Sequence, residues 1–144
     1  MSVPSVRVAI GEERFLARLQ QHLAPQSCAR LLDLLPYRGE LIHARWSGDS
    51  CWSPLGAVWP AASILEPENA TSEPAPGEIL LFGGGTSEPE LLITYGLCRF
   101  ACKVGPLTGN PVLKIGDEDL ARLAECGRNI LWKGAAPLHV ERLT

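Results

Sequence analysis

The sequence predicts a mostly-β domain of about eight strands and two α-helices. Three observations point there. Apolar and polar residues alternate in short runs along much of the chain, the period of half-buried strands. Glycine and proline, 14 and 12 of 144 residues, supply more turns than a helix bundle uses and fewer than a low-complexity chain carries. Only two stretches show the i, i+3, i+4, i+7 stripe of an amphipathic helix. The length is that of one domain, and a hydrophobic fraction of 46% with 20% charged residues describes a globular chain. No internal repeat or second domain stands out, so residues 1–144 read as one unit.

Val6, Val8 and Ile10 alternate with Arg7 and Ala9. After Gly11-Glu12-Glu13, Phe15, Ala17 and Leu19 alternate with Arg14, Leu16 and Arg18, which predicts a hairpin from Val3 to Gln20. Pro25-Gln26-Ser27 opens the first helix, with proline in its first turn. Cys28, Leu31, Leu32 and Leu35 form its stripe, and Pro36 ends it. Gly39 to Trp46 reads as a strand. Ile42, Ala44 and Trp46 face one way, and Leu41, His43 and Arg45 the other. A Ser-Gly-Asp turn leads to a short strand from Cys51 to Val58, broken by Pro54. Trp59 to Gly77 is a long Pro- and Glu-rich connection without a period, with room for a helical turn at Ala61 to Leu65. Ile79–Phe82 and Leu91–Tyr95 are strands around a Gly83-Gly84-Gly85 hairpin loop. Cys98, Phe100 and Cys102 share a strand face, and Val112–Ile115 is a further strand. Asp117 caps the second helix, whose buried stripe is Leu120, Leu123, Ala124, Gly127 and Leu131. Lys133-Gly134 closes it, and Leu138–Leu143 is the last strand.

The order hairpin, helix, strand, linked strands, helix, strand resembles a cyclophilin-type barrel. Ala24-Pro25-Gln26-Ser27-Cys28-Ala29-Arg30-Leu31-Leu32 is similar to the first helix of that fold, and Tyr37-Arg38-Gly39-Glu40-Leu41-Ile42-His43-Ala44-Arg45 to its His-Arg strand. Closer still is the resemblance to DUF3830, a bacterial family of unknown function with a cyclophilin-like fold. It runs through Leu41 to Gly48, Pro67 to Ser72, Pro74 to Phe82 and Tyr95-Gly96. The resemblance implies a closed barrel of about eight strands with two helices at its ends. It implies no reaction. Arg45 is displaced by one position from the cyclophilin His-Arg pair because Ala44 intervenes, so prolyl isomerisation is at most a weak activity here.

The totals exclude several function classes. The formal charge is −3, and the ten arginines and three lysines are scattered, so no nucleic-acid footprint is present. No apolar run approaches the roughly 18 residues of a membrane span. The first 15 residues lack the apolar core of a signal peptide, so a cytoplasmic location is expected, and the five scattered cysteines read as reduced thiols. His22, His43 and His139 fall on separate elements, and Cys98 and Cys102 lie about 13 Å apart along a strand, so no metal or cofactor is expected.

A small-ligand site remains as the leading expectation. Trp46, Trp52 and Trp59 crowd into fourteen positions. Arg45 offers a two-pronged donor for a carboxylate, and Trp46 and Trp52 offer apolar walls. Glu68, Asn69 and Tyr95 complete a pocket if the long connection folds back over the barrel. His43 is the best base by chemistry and Glu68 the alternative acid or base. The ligand expected is an anionic or amide-containing metabolite. The competing expectation is a non-catalytic interaction module that packs on a second copy or on another subunit.

Overall fold

The computed structural model describes residues 4–60 and 64–143. Its strands are β1 (Ser5–Ile10), β2 (Glu13–Leu19), β3 (Tyr37–His43), β4 (Gly48–Pro54), β5 (Glu78–Phe82), β6 (Glu90–Cys98), β7 (Ala101–Cys102), β8 (Gly105–Pro106), β9 (Asn110–Ile115) and β10 (Ala136–Arg142). The helices are α1 (Pro25–Leu34) and α2 (Leu120–Lys133), the second led in by a 3-10 turn at Asp117–Asp119. Eight strands close an antiparallel barrel in the order β1-β10-β3-β4-β6-β5-β9-β2. β7 and β8 form a separate two-stranded hairpin.

Alternation explains which side chains fill the barrel. Val6, Val8 and Ile10 of β1 point inward, as do Phe15, Ala17 and Leu19 of the paired β2. Gly11 takes the left-handed conformation (φ 58°) that lets a tight turn join them. Ile79 and Leu81 of β5, Leu91, Ile93 and Tyr95 of β6 and Val140 of β10 enter the same core. Cys28 and Leu31 of α1 and Leu123 and Ile130 of α2 pack into it as well. The space left among Leu41, Cys51, Tyr95 and α2 is only about 10 Å³, at the limit of one water. Side chains fill the barrel there, leaving no room for a ligand.

A second cluster lies outside the barrel wall. Leu80 and Leu92, on the outward faces of β5 and β6, are covered by Phe100 and Leu107. The chain after β6 therefore folds back across the wall instead of continuing as a flat strand. Phe100 is 1% exposed, and burying such a ring contributes roughly 2–3 kcal/mol to holding this excursion down.

Several boundaries differ from the sequence expectation, each for a local reason. β3 ends at His43, not Trp46, because the Ala44 amide already closes the β3–β4 hairpin on the Ser50 carbonyl (2.9 Å). β4 ends at Pro54; the Leu55 amide still donates to the Pro89 carbonyl (2.8 Å), but Pro89 has no amide to return the bond. In α2 the third buried position is Ile130, and Leu131 is half exposed. Gly134 takes φ 99° and receives the helix end, its amide bonded to the Ile130 carbonyl. Val3 and the start of the turn expected at Ala61 to Leu65 lie outside the described residues; Ile64 and Leu65 are not helical.

Candidate functional site

The early end of β3 decides where the expected ligand residues go. Strict alternation would put Arg45 and Trp46 on opposite faces. Both instead sit in the β3–β4 connection, freed from the ladder and exposed. Trp52 lies on the outward face of β4, opposite Ile42 of β3. Arg45, Trp46, Trp52 and Ile42 line one cleft of about 470 Å³ on the outside of the barrel wall. Its far side is the β7–β8 hairpin, through Ala101, Cys102, Lys103 and Val104.

Ser47 fixes that hairpin. Its hydroxyl donates to the Ala101 carbonyl and accepts from the Ala101 amide, both at 3.0 Å. The Arg99 amide donates to the Ser47 carbonyl at 3.0 Å. Ser47 is buried, so these bonds replace lost water contacts and join the two rims of the cleft. Nothing local in the sequence signals this, because residues 98–102 read as one strand face.

Glu90 opens β6 and also lines the cleft. It stands opposite Pro54 on β4 and Phe82 on β5, and is only 6% exposed. Among the described residues nothing bonds or ion-pairs with its carboxyl. Burial, reinforced by the nearby Glu88, pushes its pKa up to about 8. Its role is not legible in the sequence. A Glu flanking Pro89 after a glycine loop looks like turn chemistry, and only the closed sheet shows that it is buried.

His43 belongs to the inner face, although its residue also borders the cleft. Nδ1 lies 2.8 Å from the Ala44 carbonyl, which can only accept, so Nδ1 carries the proton. Nε2 then accepts from the Tyr95 hydroxyl at 2.7 Å. Burial first, then Asp49 and Cys51, push the Tyr95 phenol up and keep it a donor. Both ring nitrogens are thus engaged within the barrel. Tyr95 faces α2 and does not line the cleft with Arg45.

Glu68 and Asn69 lie elsewhere. Glu68 accepts from the Gln26 amide (3.0 Å), the Ser27 amide (2.7 Å) and the Ser27 hydroxyl (2.6 Å) at the start of α1. Burial acts to raise its pKa, but the Ser27 hydroxyl and the Gln26 and Ser27 amides outweigh it and hold the carboxyl below its usual range. The Asn69 amide group donates to the Leu23 carbonyl at 2.8 Å. The long connection thus runs to the α1 end of the barrel, not over Arg45. Its Trp59 joins the core, with the Arg30 guanidinium 4.6 Å above its ring. Of the expected pocket, the structure brings together Arg45, Trp46, Trp52 and the edge of His43. It leaves Glu68, Asn69 and Tyr95 outside.

Among the described residues no cluster of three His, Cys, Asp or Glu side chains is arranged to hold a metal. No described helix is long and apolar enough to cross a membrane.

The fold is shared with solved structures, among them these two. The first is described as the structure of McbB in complex with tryptophan, with a TM-score of 0.70 and 21% identity. The match covers 94% of this chain but 44% of that one, so the chain spans less than half of McbB. The second is the solution structure of the hypothetical protein AF2241 from Archaeoglobus fulgidus, with a TM-score of 0.57, 13% identity, and 98% and 95% of the two chains covered. No curated protein matches the chain. The profile of DUF3830, a family described as proteins of unknown function, matches residues 6–142, and the chain belongs to that family.

Proposed function

We propose that the outer cleft binds a small carboxylate- or amide-bearing metabolite with a flat apolar body. One observation carries this reading: Arg45, Trp46 and Trp52 line one cleft of about 470 Å³. That volume falls within the roughly 300–1,000 Å³ of small-molecule sites, and apolar walls with a few polar groups are their usual make-up. Arg45 forms no ion pair with any described residue, so its planar donor fork is free to take a carboxylate in two parallel hydrogen bonds. Trp46 and Trp52 supply flat apolar surface. The tryptophan bound by McbB, a barrel of similar fold, supports including aromatic amino acids among the ligands to test.

The test is a thermal-shift screen of amino acids, amides and dicarboxylates, followed by calorimetry on the hits. A ligand at 100 times its Kd stabilises the folded chain by about 2.7 kcal/mol. Arg45→Ala is expected to weaken carboxylate hits at least tenfold, and Trp52→Ala to weaken aromatic ones. No stabilising ligand, or hits indifferent to both substitutions, overturns the reading.

A further inference from the structure

The cleft has an acidic floor and basic rims. Glu90 is buried in the wall, while Arg45 and Lys103 stand exposed on the β3–β4 connection and the β7–β8 hairpin. The groups around Glu90 are few. Glu88, on the β5–β6 connection, raises its pKa. The cleft adds Arg45, Lys103, the Cys102 thiol and the edge of His43. Pro54 and Phe82, directly across the ladder, bring no charge. No described cation lies within ion-pair distance of the Glu90 carboxyl. A buried carboxylate without a partner is costly, so the group holds its proton until a cation arrives.

We infer that Glu90 is the receptor for a protonated amine on the ligand, so that the cleft takes a zwitterion: carboxylate on Arg45, ammonium on Glu90, and an aromatic or apolar body against Trp46 and Trp52. This rests on the ligand-binding reading of the same cleft and narrows it to amino-acid-like molecules. Binding then moves one proton. Glu90 gives its proton to solvent, the ammonium keeps all three of its own, and the new ion pair replaces the O–H bond. A neutral Glu90 at pH 7 makes that release nearly stoichiometric, and affinity rises with pH toward 8.

Three probes with one ring system separate the parts: L-tryptophan, 3-(indol-3-yl)propionate, which lacks the amine, and tryptamine, which lacks the carboxylate. Calorimetry in buffers of different ionisation enthalpy counts the protons. Tryptophan and tryptamine are expected to release close to one proton at pH 7, and indolepropionate none. The tryptophan Kd is expected to fall severalfold or more per pH unit between pH 5.5 and 7.5. At pH 7.5 tryptophan is expected to bind at least tenfold more tightly than indolepropionate, and Glu90→Gln to close that gap and abolish the release. Should Glu90→Gln fail to fold, the wild-type proton count across the three probes decides alone. Equal binding of tryptophan and indolepropionate, or tryptophan binding without proton release, overturns the inference but leaves the carboxylate site standing. Failure of all three probes to bind overturns it, and if the metabolite screen is also blank, the ligand-binding reading falls with it.

Discussion

Glu68 caps α1 from 41 residues away: its carboxylate accepts from the Ser27 amide at 2.7 Å and the Ser27 hydroxyl at 2.6 Å. Ala24, at the helix N-cap, has no side chain able to do this. The long connection supplies the acceptor instead and brings negative charge to the positive end of the helix. Asn110 completes the network, donating to the Ser27 hydroxyl (2.8 Å) and the Glu66 carbonyl (2.9 Å). Glu68→Ala is therefore expected to cost about 1–2 kcal/mol in urea unfolding. It is expected to leave ligand affinity at the Arg45 cleft unchanged. The folded-state pKa of Glu68 is lowered, so its contribution is complete above the unfolded pKa of about 4.3 and is lost as pH falls through the folded value. A stability loss that stays undiminished as pH falls well below the unfolded pKa, or a matching loss of ligand binding, would contradict this assignment.

The His43–Tyr95 bond is held by the absence of a side chain on α2. Gly127 packs on the Tyr95 ring, where an added Cβ would collide with it. Alanine favours a helix by roughly 1 kcal/mol over glycine, yet overpacking at such a contact typically costs 1–3. Gly127→Ala is expected to be a net loss of about 1 kcal/mol or more, the reverse of its effect on an exposed helix. Tyr95→Phe is expected to cost about 1 kcal/mol by leaving Nε2 of His43 without its donor. Nitrogen NMR of the imidazole is expected to show the proton on Nδ1 in both the wild type and Tyr95→Phe, because the Ala44 carbonyl alone fixes that tautomer.

The five thiols divide by environment. Burial pushes Cys28 up to about 11 and Cys51 up to about 12, leaving about a thousandth and a ten-thousandth as thiolate at pH 8. Burial also raises Cys98 and Cys126. Cys102 alone among them borders the Arg45 cleft. Brief iodoacetamide treatment of the native chain, mapped by mass spectrometry, is expected to modify Cys102 first and Cys28 and Cys51 only after unfolding. A ligand seated in the cleft is expected to slow modification of Cys102 and of no other cysteine. Early labelling of Cys51 would mean that the barrel opens far more often than its packing implies.

Barrel and helices were legible in the sequence because alternation and the helical stripe act locally. Val6–Val8–Ile10 and Phe15–Ala17–Leu19 announce their faces without knowledge of the partner strand. The cleft was legible only in part. Arg45, Trp46 and Trp52 were recognisable by chemistry, but the strand that was to separate Arg45 from Trp46 stops at His43, a hairpin decision made by the Ala44–Ser50 bond. Glu68 and Asn69 fitted a pocket in the sequence because carboxylates and amides serve capping and ligand binding equally. Only the path of the connection tells the two roles apart. The wall opposite Arg45 and the burial of Glu90 depend on how residues 98–110 fold back across the sheet, which is a long-range event with no period of its own.

Glu90 also sets a pH signature that needs no ligand. Its pKa is raised from the unfolded carboxyl value of about 4.3 to about 8 in the folded chain. Between those values the folded state holds the proton and the unfolded state does not, so stability falls as pH rises through this window. This is the reverse of the Glu68 dependence. A shift of this size corresponds to a loss on the order of 4 kcal/mol between pH 5 and pH 9, by the roughly 1.4 kcal/mol carried by each pKa unit. Glu90→Gln keeps the shape and removes the titration. It is expected to flatten the profile over pH 5–8 and to be more stable than the wild type at pH 8.5, while matching it near pH 5. Urea unfolding of both chains across pH 5–9 checks this. A wild-type profile that is flat or rises with pH through the window would show that the Glu90 carboxylate is already solvated or paired in the free protein.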